Sequence, residues 1–97
     1  MTARELKAAV RPLDFYRAEI PTMPAPKISR AWTDGGLCPF HEDRRRGSFW
    51  INLETGAFHC FACGASGGDI LAFAQQRHEL TFPEAMQAIA DAWGLSA

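Results

Sequence analysis

Two pairs of metal-binding side chains place the strongest constraint on how this chain can fold. Cys38 and His41 have two residues between them in Cys-Pro-Phe-His, and Cys60 and Cys63 have two between them in Cys-Phe-Ala-Cys-Gly. Because such a gap lets one tight turn present both donors to one ion, the two pairs supply the four ligands of a tetrahedral zinc site. We predict one zinc ion bound by these four residues. A shell of four protein ligands is closed, so this zinc would be structural rather than catalytic.

The residues around the pairs suit tight turns. Pro39 stiffens the first turn, and Gly64 follows the second turn, where it can adopt a positive φ. His59 and His78 are the competing donors. Because His59 is the strand neighbour of Cys60, it is expected to point to the opposite face. We interpret both histidines as ordinary polar residues.

The cysteine count and the start of the chain argue against a secreted disulfide protein. Three cysteines are an odd number, so a disulfide framework would leave one unpaired. The first residues lack a basic start followed by a long apolar run, which a secretory signal requires. No apolar run approaches the roughly 18 to 20 residues of a membrane span. We therefore expect a reducing, cytoplasmic setting without membrane attachment.

The length of 97 residues predicts a single domain with a marginal core, since a chain this short buries only about 60–65% of its unfolded surface. Metal binding would supply the missing stability. We predict an α+β fold in which a small zinc ribbon, an antiparallel β-sheet with two zinc knuckles, is flanked by N-terminal and C-terminal helices. Its expected parts are an N-terminal helical segment (1–20), a proline-rich linker (21–27), the zinc ribbon (28–66) and C-terminal helices (67–97).

The ribbon is predicted from strand periodicity. Residues 27–32 are a candidate strand that leads into a turn over 33–36. Phe49, Ile51 and Leu53 alternate with polar or outward positions, and residues 57–61 return as the partner strand that carries Cys60. Trp50 then points away from the core, where it is either packed under a helix or exposed for stacking.

Helices at both ends of the chain are predicted from their start signals. Asp69 is a good N-cap for a helix from Ile70 to about residue 76 or 77. Thr2-Ala3-Arg4-Glu5 and Thr81-Phe82-Pro83-Glu84 both have the form of a capping box. The last helix carries an apolar stripe that we assign to the core: Phe82, Ala85, Met86, Ile89, Ala90 and Trp93.

Positive charge is concentrated in the N-terminal half. Residues 1–46 carry nine Lys/Arg and six Asp/Glu, whereas residues 47–97 carry one Arg and five Asp/Glu. The run Arg44-Arg45-Arg46 is either a solvated hairpin tip or a phosphate contact, because the planar guanidinium suits phosphate. Our candidates for nucleic-acid contact are Lys27, Arg30, Arg44, Arg45, Arg46 and Trp50, with Trp32 and Phe61 ranked below them.

The chain resembles the N-terminal zinc-binding domain of bacterial and phage DNA primases over about residues 28–93. The likeness rests on Cys38-Pro-Phe-His41, Ser48-Phe49, Phe58-His59-Cys60-Phe61-Ala62-Cys63-Gly64, Gly67-Gly68-Asp69-Ile70 and Leu80-Thr81-Phe82-Pro83-Glu84-Ala85. The resemblance implies a zinc ribbon with flanking helices, with zinc on the four residues named above. It also implies contact with single-stranded template and a part in choosing where a primer starts.

The chain departs from the family pattern in two ways. The link Glu42-Asp43-Arg44-Arg45-Arg46-Gly47 is richer in arginine and one residue longer than the family's usual short basic link, which contains Lys-Thr-Pro. The polymerase core of a primase, with its clustered carboxylates for catalytic metals, is missing, so we expect no primer synthesis by this chain. It is either a stand-alone module, as in phage and mobile-element replication systems, or a piece of a longer primase or primase-helicase.

Two functions are consistent with the sequence. The first is a DNA-binding module in which arginines hold phosphates and aromatic side chains stack on unpaired bases of the template. The second is a zinc-stabilised adaptor whose ribbon or acidic C-terminal helices dock a polymerase or helicase without touching DNA. The arginine run and the family resemblance favour the first, and the modest net charge of −1 favours the second.

Overall fold

A computed structural model describes residues 1–26 and 31–95 of the chain. Over these residues the chain forms four helices and four short strands. In chain order they are α1 (Ala3–Ala9), α2 (Pro12–Glu19), β1 (Trp32–Asp34), β2 (Phe49–Asn52), β3 (Phe58–Cys60), β4 (Ser66–Gly67), α3 (Ile70–His78) and α4 (Phe82–Ala92). This arrangement confirms the predicted α+β class.

The four strands form one antiparallel sheet in the order β1-β2-β3-β4. One row across the sheet joins Asp34 to Trp50, Trp50 to His59, and His59 to Ser66. The adjacent row joins Thr33 to Ile51 and Ile51 to Phe58. Because successive residues of a strand point to opposite faces, the first row lies on the outer face of the sheet and the second on the inner face.

The inner face of the sheet packs against an aromatic core. Phe49, Ile51 and Phe58 are almost fully buried. The ring of Phe73, from α3, lies 5.3 Å from that of Phe58 in an edge-to-face contact, an arrangement that adds to the stabilisation from burial. Phe15, from α2, also packs edge-to-face with Phe73, at 5.6 Å. The N-terminal helices are therefore part of the same core as the ribbon.

A buried hydrogen bond also joins the N-terminal segment to the ribbon. The hydroxyl of Tyr16 donates to the backbone carbonyl of Gly56, in the β2–β3 turn, over 2.6 Å. Burial raises the pKa of Tyr16 far above its ordinary value, so the group stays protonated and remains a donor. The contact connects positions 40 residues apart in the sequence.

The helices begin where the sequence predicts. Thr2 and Thr81 each form a complete capping box, with Glu5 and Glu84 as the reciprocal partners. Asp69 accepts a hydrogen bond from the backbone N–H of Ala72 at the start of α3. These bonds satisfy backbone donors that an α-helix cannot pair internally.

Three details of the fold differ from the sequence expectation. Thr33 and Asp34 belong to β1 rather than to a turn, and residues 27–30 of the expected strand lie outside the described residues. Gly67 is not only a break before α3, since it pairs with Phe58 in β4. A side chain at Gly67 would place its Cβ 2.5 Å from the Phe58 ring, so only glycine allows this close pairing.

The third difference concerns the apolar stripe of α4. Ala85, Ile89 and Ala90 are buried as predicted, but Phe82 is 46% exposed. Phe82 is the first residue of α4, and it lines an apolar groove with Met1 and Leu6. Among the described residues, no helix has the length and apolar character needed to cross a membrane.

Candidate metal centre and nucleic-acid surface

The two knuckles bring their four donor residues together. The ligand atoms of Cys38, His41, Cys60 and Cys63 all lie within 4.8 Å of one another. The sulfurs of Cys38 and Cys63 are 3.8 Å apart, and the sulfur of Cys60 is 3.5 Å from Nε2 of His41. Each of these two contacts joins one donor of the first knuckle to one donor of the second.

The sulfur–sulfur and sulfur–nitrogen distances between the two knuckles fit a tetrahedral zinc shell. With Zn–S bonds of about 2.3 Å and Zn–N bonds of about 2.0–2.1 Å, two sulfurs lie about 3.8 Å apart and a sulfur and a nitrogen about 3.5 Å apart. The chemistry of the set, three sulfurs and one imidazole, is also that of structural zinc sites. The cluster therefore has both the donors and the spacing to hold Zn²⁺.

Backbone N–H groups within the knuckles stabilise the sulfurs. The N–H of Phe40 donates to the sulfur of Cys38 over 3.5 Å. In the second knuckle, Gly64 adopts the predicted positive φ of 80°, and its N–H donates to the carbonyl of Cys60 over 2.9 Å. This bond closes the turn of the second knuckle.

The thiols of the two knuckles differ in acidity. Burial acts to raise the pKa of Cys60, but donation from the backbone N–H groups of Cys63 and Ala62 and contact with His41 outweigh it and lower that pKa to about 7. Burial raises the pKa of Cys38 to about 12. A cation between the sulfurs favours the thiolate form of both.

Asp43 supports the first knuckle, a role that its position in the charged link did not reveal. Its Oδ2 accepts a hydrogen bond from the backbone N–H of Cys38 over 2.9 Å, and its Oδ1 accepts one from the N–H of Arg45 over 3.3 Å. These bonds lower the pKa of Asp43. The only signal in the sequence was an acidic residue five positions after the first cysteine.

The three arginines lie on the exposed loop between the first knuckle and β2. The guanidinium of Arg44 is 3.1 Å from Oε1 of Glu42, and both side chains are 84% exposed, so this ion pair contributes little to stability. Arg45 and Arg46 are also exposed. Their side chains are accessible to solvent and to any ligand. Lys27 and Arg30, the other basic candidates, lie outside the described residues.

Trp50 lies on the outer face of the sheet beside this loop. It is half-buried, and its indole N–H donates to the carbonyl of Gly47 over 3.0 Å. It lines one groove with Trp32, His59 and Phe61 and a second groove that also contains Asp34 and Arg46. Trp32 is 45% exposed and Phe61 73% exposed, although the sequence ranked both below Trp50.

We call the outer-face group of Trp32, Trp50, His59 and Phe61 the aromatic surface. It lines a shallow groove of about 580 Å³. The His59 ring lies 4.4 Å from that of Phe61 in an edge-to-face contact. The predicted opposite orientation of His59 and Cys60 is thus observed, and it makes His59 part of this surface, which the sequence did not suggest.

The fold and the cluster define a small zinc-ribbon domain with flanking helices. The chain belongs to the CHC2 zinc finger family, whose model matches residues 26–97, and this membership confirms the resemblance to the primase zinc-binding domain.

Among similar proteins, the DNA primase of Deinococcus radiodurans is 45% identical over 60 residues, covering 62% of this chain and 10% of that protein. The DNA primase of Mycolicibacterium smegmatis is 44% identical over 70 residues, covering 70% of this chain and 11% of that protein. The chain thus spans only about a tenth of the length of these relatives.

The fold is also similar to a solved structure, the Aquifex aeolicus primase described as its zinc-binding and RNA polymerase domains. The TM-score is 0.71 with 23% sequence identity, over 100% of this chain and 23% of that one. At this identity the match concerns the fold alone.

Proposed function

We propose that this chain is the template-binding zinc module of a DNA primase system. In this role it binds single-stranded DNA for primer initiation and has no catalytic centre of its own. The observation that carries the proposal is the position of the aromatic surface directly beside the arginine loop. Proteins that bind single-stranded DNA combine aromatic side chains, on which the bases stack, with cationic side chains that bind the phosphates.

The aromatic surface supplies the stacking component. Trp50 and Trp32 come from adjacent strands, and Phe61 follows β3, so three aromatic side chains from different parts of the chain share one face. Every base has a π-face, and stacking of a base on an aromatic side chain contributes about 1–3 kcal/mol. Unpaired bases expose these faces, whereas duplex DNA buries them.

The arginine loop supplies the phosphate component. Arg44, Arg45 and Arg46 are exposed, and the loop is fixed at one end by Asp43 and at the other by the hydrogen bond from Trp50 to Gly47. In this proposal the backbone of the strand follows the loop while its bases lie over the sheet. Lys27 and Arg30 are additional candidates by sequence alone.

The zinc is proposed to be structural, with one ion bound by Cys38, His41, Cys60 and Cys63. Bound there, it would crosslink the two knuckles and supply folding free energy that so small a core lacks. His41 would complete the shell as a neutral imidazole. With four protein ligands no position remains for a reactive water, which is why we propose no catalysis at this site.

Because this proposal assigns no catalysis to the chain, we also propose that the chain associates with a polymerase core or a helicase. Among the described residues, the only close group of three or more potential metal ligands is the Cys/His cluster. Primer synthesis needs carboxylate-bound metals, and we therefore propose that a polymerase domain, in the same chain or another, acts on the template held here. On this proposal the setting is cytoplasmic, and a phage or mobile-element replication system is one possible context.

The test is a fluorescence titration of the zinc-loaded chain with single-stranded and duplex oligonucleotides at two salt concentrations. We expect tighter binding to the single strand, quenching of tryptophan emission, and affinity that falls as salt rises. Equal affinity for duplex, or no binding at low salt, would refute the proposal.

A second candidate function, the protein-interaction adaptor, is favoured by a separate feature. An apolar groove of about 290 Å³ lies between α1 and α4, where Phe82 and Met1 are 46% and 44% exposed. Helix α4 carries Glu84 and Asp91 and no basic residue, so a basic segment with apolar anchors would suit it. If Phe82→Ser abolishes association with the polymerase core but leaves single-strand binding intact, the chain has both functions.

A further inference from the structure

A second groove on the outer face is lined by an aspartate and two tryptophans. It is contiguous with the aromatic surface through Trp32 and Trp50, and it also contains Asp34 and Arg46. Its volume is about 580 Å³. Asp34 is the direct cross-strand partner of Trp50, and it lies two residues from Trp32 on the same strand, so all three point to one face.

The carboxylate of Asp34 is held in place and retains free acceptor capacity. Its Oδ1 accepts a hydrogen bond from the backbone N–H of Gly36 over 2.8 Å, which fixes the side chain. An ionised carboxylate has about four acceptor sites and no donor. Among the described residues, neither Asp34 nor Arg46 forms an ion pair.

We propose that this groove is a base-reading subsite that selects guanine in the single strand. The inference rests on the proposed function and names the base that its binding surface prefers. An unpaired base stacked on Trp50 or Trp32 would direct its Watson–Crick edge towards Asp34. Arg46 would hold a phosphate of the same strand, because the carboxylate itself repels phosphate.

Guanine is the base whose edge matches a carboxylate. Its N1–H and N2–H groups are adjacent donors, so they can bind the two oxygens together. Adenine and cytosine each present one amino group beside a ring nitrogen acceptor, and thymine presents one N–H between two carbonyls. With those three bases an acceptor would face the negative carboxylate. A bidentate pair corresponds to a discrimination of about 5-fold or more.

The test uses the zinc-loaded chain and a set of thymine octamers that carry one central guanine, hypoxanthine, adenine or cytosine. Fluorescence anisotropy at fixed salt gives each affinity. We expect the guanine oligonucleotide to bind about 5- to 20-fold more tightly than all-thymine. Hypoxanthine keeps N1–H but lacks the N2 amino group, so its affinity should be intermediate. Equal affinities across the set would overturn the proposal.

The matched variant is Asp34→Asn, whose side-chain oxygen can still accept from Gly36. It should lose the guanine preference while binding all-thymine at least as well, because a negative charge has been removed. A guanine preference that persists in a folded, zinc-loaded Asp34→Asn protein would assign the reading to another residue and overturn the proposal. If the variant fails to fold, the wild-type series still decides. If the chain binds none of the oligonucleotides, the proposed function itself fails; if it binds all of them equally, only this inference does.

Discussion

Oδ2 of Asp43 accepts a hydrogen bond of 2.9 Å from the backbone N–H of Cys38. Asp43 follows the first knuckle in the sequence, so this bond links the end of the knuckle to Cys38, its first residue. Groups that orient metal ligands in this way affect metal affinity although they never touch the ion. The same residue also holds the N–H of Arg45, so it couples the metal centre to the arginine loop.

Asp43→Ala is expected to lower zinc affinity by about 10- to 100-fold, because the first knuckle loses the hydrogen bond that orients Cys38. Competition with a chromogenic chelator measures this effect. Glu42→Ala is the matched control: Glu42 is the neighbouring acidic residue, and within the part of the chain that the structure describes it pairs with the exposed Arg44 alone. Equal zinc affinities of the two variants would show that Asp43 has no such role.

Cys60→Ser should release zinc and unfold the hairpin, since site formation and folding are one equilibrium. Metal analysis and thermal melting followed by circular dichroism provide the two measurements. Ala62→Ser, an exposed change in the same knuckle, should retain zinc and melt like the parent chain. Unchanged zinc content and melting in the Cys60 variant would exclude this residue as a ligand.

Replacing Arg44, Arg45 and Arg46 together with Ala should weaken single-strand binding and reduce its salt dependence. Each phosphate contact contributes a slope of about −0.7 for single strands, so losing two or three contacts should flatten the slope by roughly 1.5–2. Zinc content should not change. A control with equal charge loss replaces three exposed helix residues, Arg4, Arg17 and Arg77. If both triple variants behave alike, the loop makes no specific phosphate contact.

Phe61→Ala should reduce single-strand affinity by about 1–3 kcal/mol with little change in salt slope, because stacking releases no counterions. This side chain is 73% exposed, so its removal should leave the melting temperature almost unchanged. Phe82→Ala removes an exposed ring from α4 and is the control, with no expected effect on DNA binding. Equal losses in both variants would contradict a specific role for the aromatic surface.

Trp50 needs two separate substitutions, because its indole is proposed to stack on a base and also donates a hydrogen bond to the carbonyl of Gly47. Trp50→Phe keeps an aromatic face but removes the N–H donor, whereas Trp50→Ala removes both. If stacking dominates, the Phe variant should retain most of the affinity and the Ala variant should lose about 1–3 kcal/mol. Equal losses in the two variants would indicate that anchoring of the loop is the role that matters. Titration with single-stranded oligonucleotide distinguishes these results.

Tyr16→Phe should destabilise the fold by about 1–3 kcal/mol, since it leaves the carbonyl of Gly56 without its buried donor. The free energy of unfolding in urea measures the effect. Phe15→Leu would instead test packing alone, because Phe15 has no polar atom in its side chain. A Tyr16→Phe protein as stable as the parent would mean that water replaces the lost bond.

Features that depend on neighbouring residues could be predicted from the sequence alone. The two knuckles, the capping boxes begun by Thr2 and Thr81, and the β2–β3 hairpin all follow from side-chain chemistry over a few positions. In such short segments the backbone has few alternatives, and the required residue types are specific. The α+β class and the family resemblance followed from these local elements.

Features that depend on contacts between distant segments became visible only in the folded chain. The pairing of Gly67 with Phe58, the exposure of Phe82 and the support from Asp43 are not visible in periodicity. Trp32 and Phe61 could be recognised as partners of Trp50 only once the strand register was known. The physical reason is that periodicity assigns a residue to one face of its own element, whereas register and packing decide which faces are covered and which side chains meet on those left open.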